Sequence, residues 1–203
     1  MSRPAHRPSE RQRVLLERYL DLLYADSNRL NLTRVPRAQA WTRHVEESLD
    51  LVPLRTWSSG ERVLDLGSGG GIPGIPLAIS QPQLAVGLIE RDRAKAAFLL
   101  GCLGQLGLSE TQVLAQDALE AARGEGFLGA DVLVSRAALP ATALLRTACR
   151  LLRVGGEGLV HVGGSVSLDG ELAQAAGRAG VGQLRLEISG RSHLLRFVRQ
   201  PPG

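Results

Sequence analysis

Val63-Leu64-Asp65-Leu66-Gly67-Ser68-Gly69-Gly70-Gly71-Ile72-Pro73-Gly74 is the stretch that decides the fold. A short apolar run carrying one carboxylate gives way to a glycine-rich turn, and an apolar segment of helical character follows. In an open α/β sheet that turn lies at the crevice end of the first strand. Glycines there let backbone N–H groups approach a ligand that a Cβ would exclude. Two templates fit. Gly69, Gly71 and Gly74 match the spacing of a dinucleotide loop, with Glu90 available to grip a ribose. Asp65, Gly67, Gly69 and Gly71 match the acidic loop of S-adenosylmethionine enzymes equally well. The carboxylate favours the second template. Asp65, two residues before the first glycine, is expected to reach an α-ammonium group, which S-adenosylmethionine carries; a pyrophosphate in that region would be repelled.

Outward from the loop, strands and helices alternate. Strands are expected at Arg62–Leu66, Leu84–Glu90, Val113–Ala115, Asp131–Ser135 and Gly158–Val162. Helices are expected at Gly74–Ser80, Arg93–Leu106, Ala118–Arg123, Ala141–Leu152 and Asp169–Ala179. Gln183–Ile188 and Leu194–Val198 have no helix between them and predict an antiparallel hairpin. The expected fold is a Rossmann-like α/β domain with a mostly parallel seven-stranded sheet, the class I S-adenosylmethionine-dependent methyltransferase variant. Before it, Ser9 is placed to cap a helix from Glu10, and a second helix is expected from Pro36 to about Pro53. Ser58-Ser59-Gly60 reads as a linker, so residues 1–57 form a helical, Arg-rich extension and 58–203 the cofactor-binding domain.

Three carboxylates then fall at three successive strand ends: Asp65, Glu90 for both ribose hydroxyls, and Asp117 for the adenine amino group. Arg136, after the fourth strand, stands where enzymes of this fold place groups facing the substrate. A guanidinium stays protonated and makes a poor general base. It suits an acceptor that is already nucleophilic, such as a purine N7, which needs positioning and electrostatics rather than deprotonation.

Composition limits the partners. The chain has 203 residues, 44% hydrophobic and 22% charged, which suits one globular domain. Aromatics at 3% leave the core to aliphatic side chains. Two cysteines without close spacing exclude a disulfide scaffold and a cysteine-rich zinc site, and no metal is predicted. No 18-residue apolar run occurs, so no membrane contact is expected, and the Arg-rich start lacks a secretory pattern; a cytoplasmic protein is expected. Residues 1–43 hold nine arginines against four carboxylates, a net of +5, on an otherwise near-neutral chain. A phosphate backbone would select such an arm; a solvated tail would look the same.

In order along the chain, Asn28-Arg29-Leu30-Asn31-Leu32-Thr33, Arg43-His44-Val45-Glu46-Glu47-Ser48-Leu49, the Gly67–Pro76 loop, Val134-Ser135-Arg136-Ala137 and His193-Leu194-Leu195 resemble the small-subunit ribosomal RNA methyltransferase G family, also called GidB. The resemblance implies methyl transfer from S-adenosylmethionine to N7 of a guanosine in 16S ribosomal RNA; a monomer is expected. It places cofactor contacts on Gly67, Ile72, Ala118, Leu119 and Arg136, and sets Asn31, Thr33 and His44 on the substrate side. The chain departs from the family pattern at Glu47 (Asp), Gly163 (Lys), Asp117 (Arg) and Ser192 (Arg), with Arg191 adjacent to the last. Alternatives are a methyltransferase of the same fold acting on another RNA, a protein or a small molecule, or a non-catalytic RNA-binding assembly protein.

Overall fold

The computed structural model describes residues 6–121, 129–136, 139–163, 166–168 and 170–201. Helix α1 (Glu10–Leu30) opens with a capping box: Ser9 Oγ accepts from the N–H of Gln12, and the Gln12 side chain accepts from that of Ser9. It stops at Asn31, whose φ of 50° is the left-handed conformation that ends helices.

The second helix is irregular where the spacing predicts a continuous one. A 3₁₀ turn (Arg37–Gln39) leads into a π-helical turn (Trp41–Glu46), three residues of α2 (Glu47–Leu49) and another 3₁₀ turn (Val52–Leu54). Side-chain donors take part of its carbonyl row: Ser48 Oγ donates to His44 O at 2.6 Å, and Arg136 Nη1 donates to Arg43 O at 2.5 Å. Such donors inserted into the ladder are a recognised cause of helix distortion.

β1 (Arg62–Leu66), α3 (Gly74–Ser80), β2 (Ala85–Ile89), α4 (Arg93–Leu106), β3 (Thr111–Leu114), α5 (Ala118–Ala121), β4 (Ala130–Arg136), α6 (Ala141–Leu151), β5 (Leu152–His161), α7 (Gly170–Ala179), β6 (Val181–Ser189) and β7 (Ser192–Arg199) follow. The expected helix ends at Arg123 and Asp169 fall outside the described residues. β5 begins six residues earlier than expected, because Leu152 pairs with Ala130 ahead of a register shift, after which pairing resumes at Val132 and Glu157. The sheet runs β3-β2-β1-β4-β5-β7-β6. β1 to β5 are parallel, while β7 is antiparallel to both β5 and β6. The chain leaves β1 toward β3 on one side and returns as β4 on the other, which puts a crevice between the carboxyl ends of β1 and β4.

Both sheet faces are buried, as parallel sheets require. Because side chains alternate along a strand, each strand feeds two cores. Val63, Leu88, Val132, Val134 and Leu159 pack with α1, α3 and α4 on one face. Leu64, Leu66, Ile89, Leu133 and Val160 pack with α6 and α7 on the other. This parity fixes where the polar residues go. Asp65, Arg136 and His161 share the parity of Val63, Val134 and Leu159, so they project toward the face covered by the N-terminal helices.

Candidate functional site

The glycine loop wraps around one carbonyl: the N–H groups of Gly67 and Ser68 both donate to Ile89 O at 3.0 Å. Ser135 Oγ donates to Leu66 O at 2.8 Å, which clamps the end of β4 against that of β1. Past this clamp a cavity of about 610 Å³ opens toward the α6 face. Its walls include Leu66, Gly67, Gly69, Ile89, Glu90, Asp117 and Ala118. Glu90 shapes the loop as it faces the cavity: its two oxygens accept from the N–H groups of Gly69 and Asp92, each at 2.8 Å. At Gly69, with φ of +54°, an added Cβ would meet nothing nearer than 3.9 Å. That position is glycine for backbone conformation and for open space, not for packing.

Gly67, Gly69, Glu90, Asp117 and Ala118, all predicted, therefore come together around one hollow. Gly71, Ile72 and Arg136 do not line it. Leu119 lies in α5 beside Ala118, although its side chain is outside the described set. Asp65, expected to reach a bound ammonium, turns the other way. It is fully buried, and its Oδ2 accepts from the N–H of Gly74 at 2.9 Å. Its Oδ1 has no hydrogen-bond partner among the described residues, and burial pushes the carboxyl up to about 7. A Cβ on Gly74 would sit 2.4 Å from Leu88 Cδ2 and 2.6 Å from Asp65 Oδ2, so this glycine serves the close approach of loop and strand.

A polar corner forms on the Asp65 side, under the N-terminal helices. Tyr19, buried in α1, donates through its hydroxyl to Gly70 O at 2.8 Å and so pins the extension to the loop. Arg136 Nη1 donates to Arg43 O, and Arg136 Nη2 lies 3.0 Å from His44 Nδ1. A guanidinium has only donors, so Nδ1 must accept, which leaves the His44 proton on Nε2. Nε2 lies 2.9 Å from Thr33 Oγ1, which also accepts from the N–H of Val35 at 3.1 Å. Burial first, and the Arg136 charge second, push His44 down to about 4, so the ring is neutral at physiological pH. Glu47, raised by burial and lowered by Arg43 and Arg136, pairs with Arg43 at 2.7 Å and lies 3.8 Å from Arg136. His161 Nε2 lies 2.8 Å from Glu47 O; burial holds it at about 4 as well.

Thr33, His44 and Arg136 thus form one hydrogen-bonded chain. Asn31 sits at its margin as the α1 cap. Ser192 is buried with its Oγ on Asp50 Oδ2 at 2.9 Å, and the neighbouring Arg191 side chain reaches Glu46 at 3.7 Å. Sequence reasoning missed the second cavity wall, Leu139, Ala143, Arg146, Thr147 and Arg150, and the cations Arg91 and Lys95. No motif marks them. The topology does, since α6 follows β4, the strand beside β1.

The cavity fits S-adenosylmethionine: carboxylates stand at the ends of two strands, and an open glycine turn allows close approach between them. No helix among the described residues is long and apolar enough to cross a membrane, and among the same residues no group of His, Cys, Asp and Glu could hold a metal ion.

The profile of GidB, rRNA small subunit methyltransferase G, matches residues 12–181. Ribosomal RNA small subunit methyltransferase G of Laribacter hongkongensis is 38% identical over 164 residues, covering 80% of this chain and 75% of the relative. The enzyme of the same name from Sorangium cellulosum is 40% identical over 121 residues, covering 59% of this chain; the match spans about half, 51%, of that relative's length. Among solved structures, the S-adenosylmethionine-dependent methyltransferase SibL in its apo form superposes with a TM-score of 0.62 at 16% identity, over 92% of this chain and 70% of SibL. That likeness shows the class I methyltransferase fold.

Proposed function

Since the chain belongs to the rRNA small subunit methyltransferase G family and is an S-adenosylmethionine-dependent methyltransferase, we propose that it methylates N7 of a guanosine in 16S ribosomal RNA. The observation that carries this reading is that, among the described residues, the groups at the end of β4 are engaged: Glu47 pairs with Arg43 at 2.7 Å and faces Arg136 at 3.8 Å. The one strongly basic side chain at the end of β4 is Arg136, and His44 beside it is held neutral with its proton on Nε2 and its other nitrogen occupied. A guanine N7 offers its own lone pair and loses no proton on attack. An exocyclic amine would have to shed one.

The cofactor, when bound, supplies an electrophilic methyl group on a sulfonium. Gly67, Gly69 and Ala118 would hold it by close backbone approach, with Glu90 accepting from ribose hydroxyls and Asp117 from the adenine amine. Asp65 supports the loop from behind by capping Gly74. Gly71 and Ile72 keep the turn's shape. Arg136, held by His44 and Arg43, directs positive charge toward the carboxyl end of β4, where it would orient the electron-rich purine edge; Thr33 and Asn31 complete that side. Residues 1–57 act as an extension that closes one face of the 58–203 domain, and a monomer contains every group named.

The test is transfer of labelled methyl to protein-free 16S ribosomal RNA and to small subunits, followed by nucleoside analysis. Label in 7-methylguanosine is expected; label in another nucleoside, with RNA still methylated, overturns the N7 assignment.

A further inference from the structure

The sequence places a net charge of +5 on residues 1–43, and four of the nine arginines there are paired. Arg13, Arg29, Arg37 and Arg43 lie 2.6–3.2 Å from Glu17, Asp26, Asp21 and Glu47. The cofactor cavity is bordered differently. Arg91 and Lys95 stand on the wall at the start of α4, and Arg146 and Arg150 on the α6 wall opposite. None of these four forms an ion pair with a described residue. Arg91, Arg146 and Arg150 are exposed, and Lys95 is half-buried. Arg146 and Arg150 are four apart on one helix, so their charges repel each other. A like-charged pair left without a carboxylate favours an outside anion.

The cofactor is a poor candidate for that anion. S-adenosylmethionine bears a sulfonium, an ammonium and one carboxylate, for a net charge of +1, and the carboxylates Glu90 and Asp117 in the same cavity already complement it. A polyanion lying across the mouth would instead touch both walls. We propose that Arg91, Lys95, Arg146 and Arg150 form a phosphate-binding rim that holds the RNA backbone over the cofactor cavity. The proposal rests on the ribosomal RNA reading above and adds an RNA contact at the cavity mouth to the basic N-terminal segment. A backbone bound there would close the cavity and shield the methyl donor from water.

The experiment measures binding of protein-free 16S ribosomal RNA across a salt series, for the full chain and for three double variants. These are Arg146→Gln with Arg150→Gln, Arg91→Gln with Lys95→Gln, and, as the paired comparison, Arg29→Gln with Arg37→Gln. Each rim variant is expected to flatten the log–log salt slope by about 1.4–1.8, two phosphate contacts at about 0.7–0.9 each, while the comparison variant moves it by less than half of that. Calorimetry with S-adenosylmethionine should give an affinity equal to or tighter than wild type in the rim variants, because a positive charge near a positive ligand has been removed. Wild-type slopes in both rim variants overturn the proposal. So does a loss of cofactor affinity as large as the loss of RNA affinity, which would assign the four cations to the cofactor. Methylation by the wild-type chain is measured in parallel. If no methyl group reaches 16S RNA, the functional reading falls, while the salt slopes still decide the rim.

Discussion

The two faces of the sheet treat the same crevice in opposite ways. Between the start of α4 and α6, the ends of β1, β2 and β3 open into a hollow lined by Glu90 and Asp117. On the face under α1 the same edge is shut: Asp65 is fully buried, Tyr19 holds Gly70, and Arg136 is bound through His44 to Thr33. One face is shaped to receive a ligand. The other is bonded internally and would fix the geometry of the wall behind a bound ligand. A carboxylate near a strand end is therefore not a binding group by position alone: Asp65 lies within β1 and is fully buried, whereas Glu90 lies one residue past the end of β2 and lines the hollow.

The largest effect expected from this contrast is a pH-dependent one, confined to the closed face. Asp65 titrates at about 7 when folded, against an ordinary carboxyl near 3.8. Between those values the folded chain binds a proton that the unfolded chain has released, so the Asp65 contribution to stability rises as pH falls from about 7 to about 4. Asn in its place cannot titrate. The stability difference between wild type and Asp65→Asn should shift toward wild type by on the order of 4 kcal/mol from pH 8 to pH 4. His44 and His161, both near 4 against an ordinary 6.5, act with the opposite sign. They withhold protons that the unfolded chain takes up, so stability is lost as pH falls below about 6.5. In Asp65→Asn this opposing trend is left unbalanced, and acid sensitivity should steepen. Denaturant unfolding at a series of pH values checks it; parallel curves for the two proteins would show that burial does not govern Asp65.

Next in size is Arg136→Ala. Removing a positioned donor typically costs 10²–10³ in rate, about 2.7–4 kcal/mol of barrier. Single-turnover methylation at saturating cofactor reads this separately from binding. Arg136→Lys should not restore the rate, because one ammonium cannot reach both Arg43 O and His44 Nδ1 in the geometry of the guanidinium fork. A wild-type rate for Arg136→Ala would detach the closed face from the chemistry.

The glycines sharpen the comparison at smaller scale. In Gly74→Ala the new methyl meets Leu88 and Asp65 well inside contact distance, and overpacking of this kind costs about 1–3 kcal/mol, a fall in Tm of about 2–12 °C. Gly69→Ala meets no atom on the open face, so its stability cost is the left-handed backbone alone, about 1–2 kcal/mol. Its larger consequence should be weaker S-adenosylmethionine binding by calorimetry, because the methyl projects where the ligand lies. Equal cofactor affinity in the two variants would mean that the loop does not separate the two roles.

The glycine spacing and the strand–helix alternation made the sheet legible in the sequence, including the closing hairpin and the positions of Gly67, Gly69, Glu90 and Asp117. The direction of Asp65 was available too, since it alternates with Leu64 and Leu66, but in a strand buried on both faces the apolar run hides which parity is which. The irregularity of the second helix was not legible. One of the two donors on its carbonyl row is Arg136, which contacts Arg43 across 93 positions of chain. The α6 wall was hidden for the same reason: Ala143, Arg146 and Thr147 carry an amphipathic helix pattern, and only the sheet order brings them beside Gly67.

The smallest effect concerns Thr33, at the far end of the closed-face chain. Its hydroxyl oxygen accepts from the N–H of Val35 and, given the tautomer that Arg136 imposes, from His44 Nε2–H. Thr33→Val keeps the shape and removes the one oxygen that accepts both bonds, which should cost about 1 kcal/mol in denaturant unfolding. Thr33→Ser keeps the oxygen and should recover most of that loss. Losing its acceptor also frees the His44 ring to turn, and Arg136 then loses one of its two holds, so turnover should fall severalfold. Cofactor affinity should stay at the wild-type value, because Thr33 does not line the cavity. A Thr33→Val protein with full turnover would show that Arg43 O alone holds Arg136. One that binds the cofactor tenfold more weakly would show that the open and closed faces act as one.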